Sequence, residues 1–323
     1  MIQYDLMRKC ETLMDLYNEM KADASAFENP RVLFAAASLF LTAGIEYDSA
    51  EVRRCRLLLR RYYGIFSRFR STESFIVACK MSLADDAEKY LEKLSDLSED
   101  LKVGALENDR IVLAAMILED NLEGREPDYL VAKTKRIYRR MRSTHKLLTS
   151  GEDLPLAALM AVSEKDGQSI YDDAEIAYKE FHRDLYADNN TIQLLSHIVS
   201  LYYGNIPEMC QKLIDIADIL HRRKHALGTG VRLGILGPLA DMPYSPYELA
   251  EDIIDADQFL KEFKPFRGVF GLDAKDRAVF ATVCAMSANL DAESAQRTAM
   301  VSTSVELTII LQITMAMVCV ACV

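Results

Sequence analysis

The sequence predicts an all-α protein built as a solenoid-like array of about seven helical pairs, with a capping helix at each end. A dense apolar run recurs seven times along the 323 residues, with successive starts 37 to 45 residues apart. Longer amphipathic segments separate these runs. Gly and Pro, at 13 and 8 residues, are too scarce for a turn-rich β fold. A period near 40 residues is typical of stacked two-helix units.

The first element in chain order is the N-terminal segment, residues 1–28, which predicts one capping helix. Its apolar side chains recur at helical spacing and would cover the open face of the first pair. The expected contacts are Met7, Leu13, Met14, Tyr17 and Met20.

Residues 29–290 carry the seven apolar runs, which predict buried inner helices because Ala, Leu and Met dominate them. Several runs follow a residue that commonly caps a helix, namely Asn29, Ser71, Asn108 and Asn190. A helix that is apolar on nearly all sides must be buried on nearly all sides. The runs are NPRVLFAAASLFL from Asn29, STESFIVACKMSLA from Ser71, NDRIVLAAMILED from Asn108, EDLPLAALMAVSE from Glu152, NNTIQLLSHIVSLYYG from Asn189, GVRLGILGPLAD from Gly230 and KDRAVFATVCAMSA from Lys275.

Each run is followed by an amphipathic segment that predicts a covering helix. Apolar residues at spacings of three and four define one buried stripe and one solvated face. The clearest stripes are Ala87, Leu91, Leu94, Leu97 and Leu101; Ile170, Ala174, Ala177, Tyr178, Phe181 and Leu185; Ile206, Met209, Leu213, Ile216 and Leu220; and Leu249, Ile253, Ala256, Leu260 and Phe263. A unit is therefore expected to be a buried helix followed by its covering helix.

The last element, residues 291–323, ends in an uncharged run from Leu307 to Val323. Its length reaches the lower limit for a membrane-spanning helix. Gln312 and Thr314 interrupt the run, and no Lys or Arg flanks it closely. We therefore expect a terminal helix packed on the repeats, with a dimer interface and a membrane anchor as alternatives.

Three stretches of the chain resemble the bacterial family catalogued as domain of unknown function family 4003. They are GIFSRFR at Gly64–Arg70, THKLLTSGEDLPLAALMAVSE at Thr144–Glu164 and HALGTGVRLGILGPLAD at His225–Asp241. The resemblance extends over roughly residues 5–300 and implies a soluble, mostly helical bacterial protein. It brings no activity, cofactor or set of functional residues. The chain departs from the family after Ser302, where its tail is more apolar.

The N-terminal sequence and the cysteine content indicate where in the cell the protein resides and whether its thiols are reduced. Charged residues near the start, such as Asp5 and Arg8, indicate that no signal peptide is present. The odd number of cysteines, seven, fits reduced thiols in a cytoplasm better than a disulfide framework. The CxxC of Cys319 and Cys322 lacks a second pair and is interpreted as structural.

A search for catalytic and metal motifs finds none, so no cofactor is expected and a non-enzymatic role is favoured. His197 lies in an apolar run and is interpreted as a hydrogen-bonded core histidine. His221 and His225 have the spacing of two metal ligands on one helix, but three cations lie between them. His145 lies in a loop, where a loop-closing hydrogen bond is the simplest role.

Positive charge is distributed unevenly along the chain. Although the net charge is −11, 18 of the 38 Lys and Arg residues fall in three stretches that contain no acid. We call them the first (Arg53–Arg70), second (Lys133–Lys146) and third (His221–Arg232) basic clusters. Each straddles the predicted end of a covering helix. The candidate binding residues are Arg53, Arg54, Arg60, Arg61, Arg68, Arg70, Arg136, Arg139, Arg140, Arg142, His145, Arg222, Arg223, Lys224 and Arg232.

Two explanations of the basic clusters remain open. Cations can complement the carboxyl end of a helix, and acidic starts of neighbouring helices can neutralise them. Alternatively, the seven cations of the first cluster, and those of the second, repel one another unless an external anion binds them. We favour a cytoplasmic interaction or scaffold protein, with a binder or enzyme for a phosphorylated small molecule as the alternative. The acidic remainder of the chain disfavours nucleic acid as the partner.

Overall fold

The computed structural model describes residues 2–24, 28–62, 74–102, 110–122, 124–144, 153–267 and 272–289. These residues form helices joined by turns and loops and contain no strand, which confirms the all-α prediction. The α-helices are α1 (Ile2–Asp23), α2 (Pro30–Ala43), α3 (Ser49–Tyr62), α4 (Ser74–Leu83), α5 (Ala87–Asp100), α6 (Arg110–Asp120), α7 (Pro127–Thr144), α8 (Leu154–Val162), α9 (Gly167–Asp184), α10 (Asn189–Val199), α11 (Ile206–Arg222), α12 (Pro246–Leu260) and α13 (Ala274–Asn289). Two 3₁₀ helices span Val231–Asp241 and Lys264–Phe266.

The apolar runs form the core, as their composition predicts. In α2 every residue from Val32 to Leu41 is buried, and in α8 every residue from Leu154 to Val162 is buried. Such continuous burial requires neighbours on all sides of a helix. The inner elements are α2, α4, α6, α8, α10, the Val231–Asp241 helix and α13.

The covering helices bury the stripes that their periodicity predicts. In α5 the buried positions include Leu91, Leu94 and Leu97, and α11 buries Ile206, Met209, Leu213, Ile216 and Leu220. The opposite faces of these helices are exposed. Each covering helix therefore contributes one apolar stripe to the core and one polar face to the surface.

The sixth inner element, Val231–Asp241, is a 3₁₀ helix of 11 residues, a long stretch for this conformation. Pro238 within it lacks a backbone N–H and would clash with the carbonyl of residue 234 in an α-helix. Gly237 allows a close approach to α10, because a Cβ at this position would lie 2.4 Å from Cγ2 of Ile198. The glycine therefore serves close packing.

The helix caps agree with the sequence at one position and differ at another. Asn29 caps α2, since its Oδ1 accepts a hydrogen bond of 2.9 Å from the Arg31 amide. The prediction for Asn190 is wrong, because Asp188 is the N-cap of α10 and accepts from the Thr191 amide. An Asp side chain is an equally good cap, and it precedes Asn190 in the chain.

The helical pairs have the opposite order from the one expected. Of the inner elements before and after it, each covering helix packs more extensively against the one that follows, as in α1–α2, α7–α8 and α12–α13. The apolar stripe of a covering helix therefore faces the next apolar run more than the preceding one. With α1 counted as a covering helix, the described residues contain seven such pairs.

The two ends of the array meet, which differs from the expected solenoid with separate caps. Helix α1 packs against α12 and α13 as well as α2, and α13 contacts α2. The ring of Phe34 in α2 stacks on Tyr17 of α1 and on Phe280 of α13, with centroid distances of 4.1 and 4.4 Å. The first and last described pairs thus bury their apolar faces against each other. Helix α1 packs against both α2 and the last pair instead of covering an open end of the array.

The expected C-terminal helix, residues 291–323, lies outside the described residues, as do the proposed N-caps Ser71 and Asn108. Among the helices that the structure describes, none is long and apolar enough to cross a membrane.

Candidate functional site: arginine-rich seams between covering helices

The third basic cluster is largely neutralised by acids of its own helix and of neighbouring elements. Arg223 forms an ion pair of 2.8 Å with Glu251 of α12, and Arg222 pairs with Asp218 one turn earlier at 3.2 Å. Lys224 adopts a left-handed conformation with φ 65°. It ends α11 in a Schellman motif, in which the amide of His225 donates to the carbonyl of Leu220.

Arg232, the last member of this cluster, belongs to a buried network at the starts of three inner elements. Its guanidinium donates to Oδ1 of Asp276 in α13, with distances of 3.0 and 2.8 Å, and pairs with Asp273. The other carboxylate oxygen of Asp276 accepts from Arg31 of α2. Because the Asp276 side chain is 2% exposed, one buried carboxylate holds two arginines from different helices.

A second buried carboxylate, Asp257 of α12, lies close by. It accepts hydrogen bonds from Arg277 and makes a 2.7 Å contact with Nδ1 of His225. The cluster thus joins the end of α11 to α12 and α13. His225, which the sequence assigned no specific role, is here a connection between helices.

The second basic cluster contains cations that contact neighbouring helices and cations that are exposed. Arg140 stacks over the Tyr171 ring of α9 at 3.9 Å and donates to the side-chain oxygen of Gln168. Burial raises the pKa of Tyr171, and its hydroxyl donates to the Ile137 carbonyl. Lys133 is buried and donates to the Ser163 carbonyl. These contacts fix α7 against its neighbours.

The remaining arginines of α7 have no such contacts. Arg136, Arg139 and Arg142 are exposed, and none of them forms an ion pair within the described part of the chain. They lie on the last three turns of one helix. The end of α7 therefore presents positive charge directly to solvent.

The first basic cluster is also mixed. Arg54 forms a two-point ion pair with Glu51 on the same helix, with distances of 2.8 and 2.6 Å. Arg53 lies 3.7 Å from Asp23 of α1. Arg60 and Arg61 are exposed and, among the residues the structure describes, lack an ion-pair partner. Arg68, Arg70 and His145 lie outside the described residues.

Each of the three clusters includes the end of a covering helix, and among the described residues that end contacts the next covering helix in the chain. Tyr62 at the end of α3 lies 3.3 Å from Glu88 in α5. The Arg140–Gln168 and Arg223–Glu251 contacts join α7 to α9 and α11 to α12 in the same way. We call these contacts the arginine-rich seams.

Sequence reasoning missed the buried lysine Lys165. Its ammonium group donates to the carboxylate of Asp173 and to the carbonyls of Ser200 and Tyr202. It thereby satisfies carbonyls at the end of α10 that would otherwise be unpaired. A lone Lys between α8 and α9 gives no sequence signal for this role, because the carbonyls that it pairs with lie 35 and 37 residues away.

The cysteines of the described residues lie in the core. Cys10, Cys55, Cys79, Cys210 and Cys284 are buried, and no disulfide joins them in the described part of the chain. Burial raises the pKa of the Cys55 and Cys210 thiols to about 12, and it raises that of Cys79 further. Within the described ranges no three His, Cys, Asp or Glu side chains come together as metal ligands. Exposed arginines of the kind found at the seams can bind anions through charge-assisted hydrogen bonds.

The fold and its seams define a class: an all-α protein of paired helices whose ends meet, with arginines concentrated between the covering helices. A family model described as "Protein of unknown function (DUF4003)" matches residues 16–316. The chain belongs to this family, as its sequence resemblance indicated.

A curated relative is "Uncharacterized protein YeaA" of Bacillus subtilis (strain 168). It is 23% identical over 214 residues, which cover 65% of this chain and 65% of the relative. The match thus spans slightly less than two thirds of the relative's length. No solved structure matches the chain.

Proposed function

We propose that this chain is a non-enzymatic, cytoplasmic interaction protein. It binds an acidic protein partner through the exposed arginines of the first and second basic clusters. The observation that carries the proposal is the contrast between the clusters. The third is neutralised by carboxylates such as Glu251 and Asp276, whereas Arg61, Arg139 and Arg142 are exposed without ion pairs among the described residues.

Helix stabilisation alone does not account for the unpaired arginines. One or two cations near a helix carboxyl end contribute about 0.3–1 kcal/mol each, but further cations on the same turns repel one another. An acidic partner would relieve this repulsion. Arginine suits such a partner because its planar guanidinium donates two parallel hydrogen bonds to one carboxylate.

The alternative is a binder or enzyme for a phosphorylated small molecule. Such a site would bring arginines from several pairs into one concavity that contains no protein carboxylate. The arginine-lined groove among the described residues takes its arginines from α3 alone. This geometry supports an extended interaction surface more than a phosphate pocket.

The proposal is tested by measuring the affinity of the full-length protein for polyglutamate and for heparin, in low and moderate salt. The double variant Arg139→Gln with Arg142→Gln should bind polyglutamate at least about tenfold more weakly, the loss of about 1.4 kcal/mol of binding free energy. Increasing salt should weaken binding by the parent protein, because dissolved ions screen the exposed guanidinium groups of Arg139 and Arg142.

The matched control is Arg222→Gln with Arg223→Gln, which removes the same charge from a cluster that is already neutralised. We expect its affinity to stay within about twofold of the parent value, a change of less than about 0.5 kcal/mol. Equal losses in both double variants would show a nonspecific charge effect, and the proposed surface would then be wrong. Binding of heparin without polyglutamate would favour a sulfated or phosphorylated ligand.

A further inference from the structure

A groove with a volume of about 330 Å³ lies between the end of α1 and one face of α3. Three arginines line it at positions i, i+3 and i+7 of α3, which lie on the same side of a helix. The lining residues are Asp23, Ala24, Arg53, Arg56, Leu57 and Arg60. This combination of three guanidinium groups with one exposed apolar side chain suits a particular kind of ligand.

The central arginine of the groove is held in place by the fold. Arg56 donates to the carbonyl of Asp23 at 3.4 Å, lies 3.9 Å from Glu28 and lies over the Phe75 ring at 5.4 Å. Its side chain is 17% exposed. Because these contacts fix Arg56, it shapes the floor of the groove and keeps positive charge there.

The two outer arginines are available to a ligand. The side chain of Arg53 is 60% exposed, and its one carboxylate neighbour, Asp23, is 3.7 Å away. Arg60 is exposed and has no ion pair in the described part of the chain. With a helical rise of 1.5 Å per residue, the Cα atoms of Arg53 and Arg60 are separated by about 10 Å along α3.

We propose that this groove binds an extended acidic peptide segment, with carboxylates at alternate positions. Side chains two residues apart on an extended chain lie on the same side, about 6.6–6.8 Å apart. Two carboxylates at this spacing can each reach one of the outer guanidinium groups, because arginine side chains are long and flexible.

Leu57 adds a second determinant between the two arginines. This large aliphatic residue is 63% exposed, and it lines the groove. A peptide that carries an apolar side chain next to its carboxylates would bury both surfaces. The expected ligand is therefore an acidic segment with a neighbouring Leu, Ile or Phe.

This inference rests on the proposed function, because it identifies the part of the arginine-rich surface that distinguishes partner sequences. The test uses fluorescence anisotropy with the full-length protein and labelled synthetic peptides. One peptide alternates Glu with Leu, a second alternates Glu with Ser, and a third contains Gln in place of every Glu. Inorganic phosphate serves as a competitor.

We expect the Glu–Leu peptide to bind more tightly than the Glu–Ser peptide, and the Gln peptide to show no binding. Arg53→Gln combined with Arg60→Gln should weaken Glu–Leu binding at least about tenfold. Leu57→Ser should abolish the preference for Leu over Ser while leaving Glu–Ser binding unchanged. The matched control is Arg54→Gln, one position away on α3, since Arg54 already pairs with Glu51.

The inference is overturned if Arg54→Gln weakens binding as much as the groove variants, or if Leu57→Ser leaves the peptide preference intact. Efficient displacement of the peptide by millimolar phosphate would show a phosphate site instead. If peptide binding depends on Arg139 and Arg142 but not on Arg53 and Arg60, the proposed function stands and the groove assignment falls. If only the groove variants lose binding, the groove stands and the α7 surface is excluded.

Discussion

Arg31, in the first turn of α2, forms a 2.5 Å ion pair with Asp276, in the first turn of α13, 245 residues later in the chain. The same carboxylate binds Arg232 from the sixth inner element. One buried acid therefore links the two ends of the helical array. The neighbouring stack of Phe34 on Phe280 provides the apolar part of this closure.

Replacement of this acid tests the closure directly. We expect Asp276→Ala to lower the free energy of unfolding by about 3–5 kcal/mol, because it leaves two largely buried arginines without their shared carboxylate. Urea denaturation measures the change. The control is Asp5→Asn, which breaks the exposed Asp5–Arg8 pair and should cost less than about 1 kcal/mol. Similar losses in both variants would contradict a structural role of the buried network.

Truncation of an inner helix tests the core assignment. Leu159 of α8 is 2% exposed, and Leu113, Ile198 and Ala281 are fully buried in α6, α10 and α13, as the sequence predicted. Leu159→Ala should reduce the free energy of unfolding by about 2–5 kcal/mol, since it removes buried methyl groups and leaves a cavity. Leu57→Ala, on the exposed face of α3, is the control and should cost much less. A loss below about 1 kcal/mol at Leu159 would exclude tight packing around α8.

The buried lysine at the end of α10 gives a third prediction. Lys165→Met should destabilise the protein by about 1–3 kcal/mol, because the carbonyls of Ser200 and Tyr202 lose their donor. Thermal and urea denaturation should agree on the change. Lys93→Met, which breaks a half-exposed pair with Glu119, should cost less than about 1 kcal/mol. Equal stability of Lys165→Met and the parent would show that these carbonyls find other partners.

The pH dependence of stability should reveal Asp252. Burial raises the pKa of this carboxyl, the nearby carboxylates Asp255 and Glu248 raise it further, and a hydrogen bond from Asn289 opposes them. The folded protein therefore binds a proton more tightly than the unfolded chain does. The stability due to this group is complete below its ordinary pKa of about 4 and is lost as the pH rises through the raised value.

Asp252→Asn should remove this dependence. Urea denaturation at several pH values should show a smaller decline in stability between about pH 4 and pH 7 in the variant than in the parent. The Asn289 amide can still donate to the new side chain, so the fold should be retained. An unchanged pH profile would show that Asp252 titrates normally.

Thiol reactivity reports on the burial of the cysteines. At pH 8 the five described thiols should react slowly with Ellman's reagent in the folded protein, because burial raises the pKa of Cys55, Cys79 and Cys210. Denaturant should make all five react rapidly. A variant with Cys319→Ser and Cys322→Ser isolates them from the last two cysteines. Rapid reaction of the folded variant would contradict their burial.

The sequence alone determined that the described elements are helical, and it predicted which of them are buried runs and which bury a single stripe. The runs around Leu113, Leu159 and Ile198 are apolar at nearly every position, and the stripe through Leu213 and Leu220 has helical spacing. These signals are local, because a helix aligns residues three and four apart whatever the rest of the chain does. Local sequence indicated the wrong N-cap for α10, because Asp188 caps this helix in place of the predicted Asn190.

Only the tertiary structure decided how the helices pair, how the ends meet and which arginines are neutralised. Nothing in the sequence around Arg31 or Arg232 indicates that Asp276 binds both, and nothing distinguishes Arg223, which has Glu251, from Arg139, which has no ion pair among the described residues. The charge of an arginine is a local property. Its neutralisation depends on which carboxylate the packed helices bring within about 4 Å, and this follows from contacts between residues far apart in the chain.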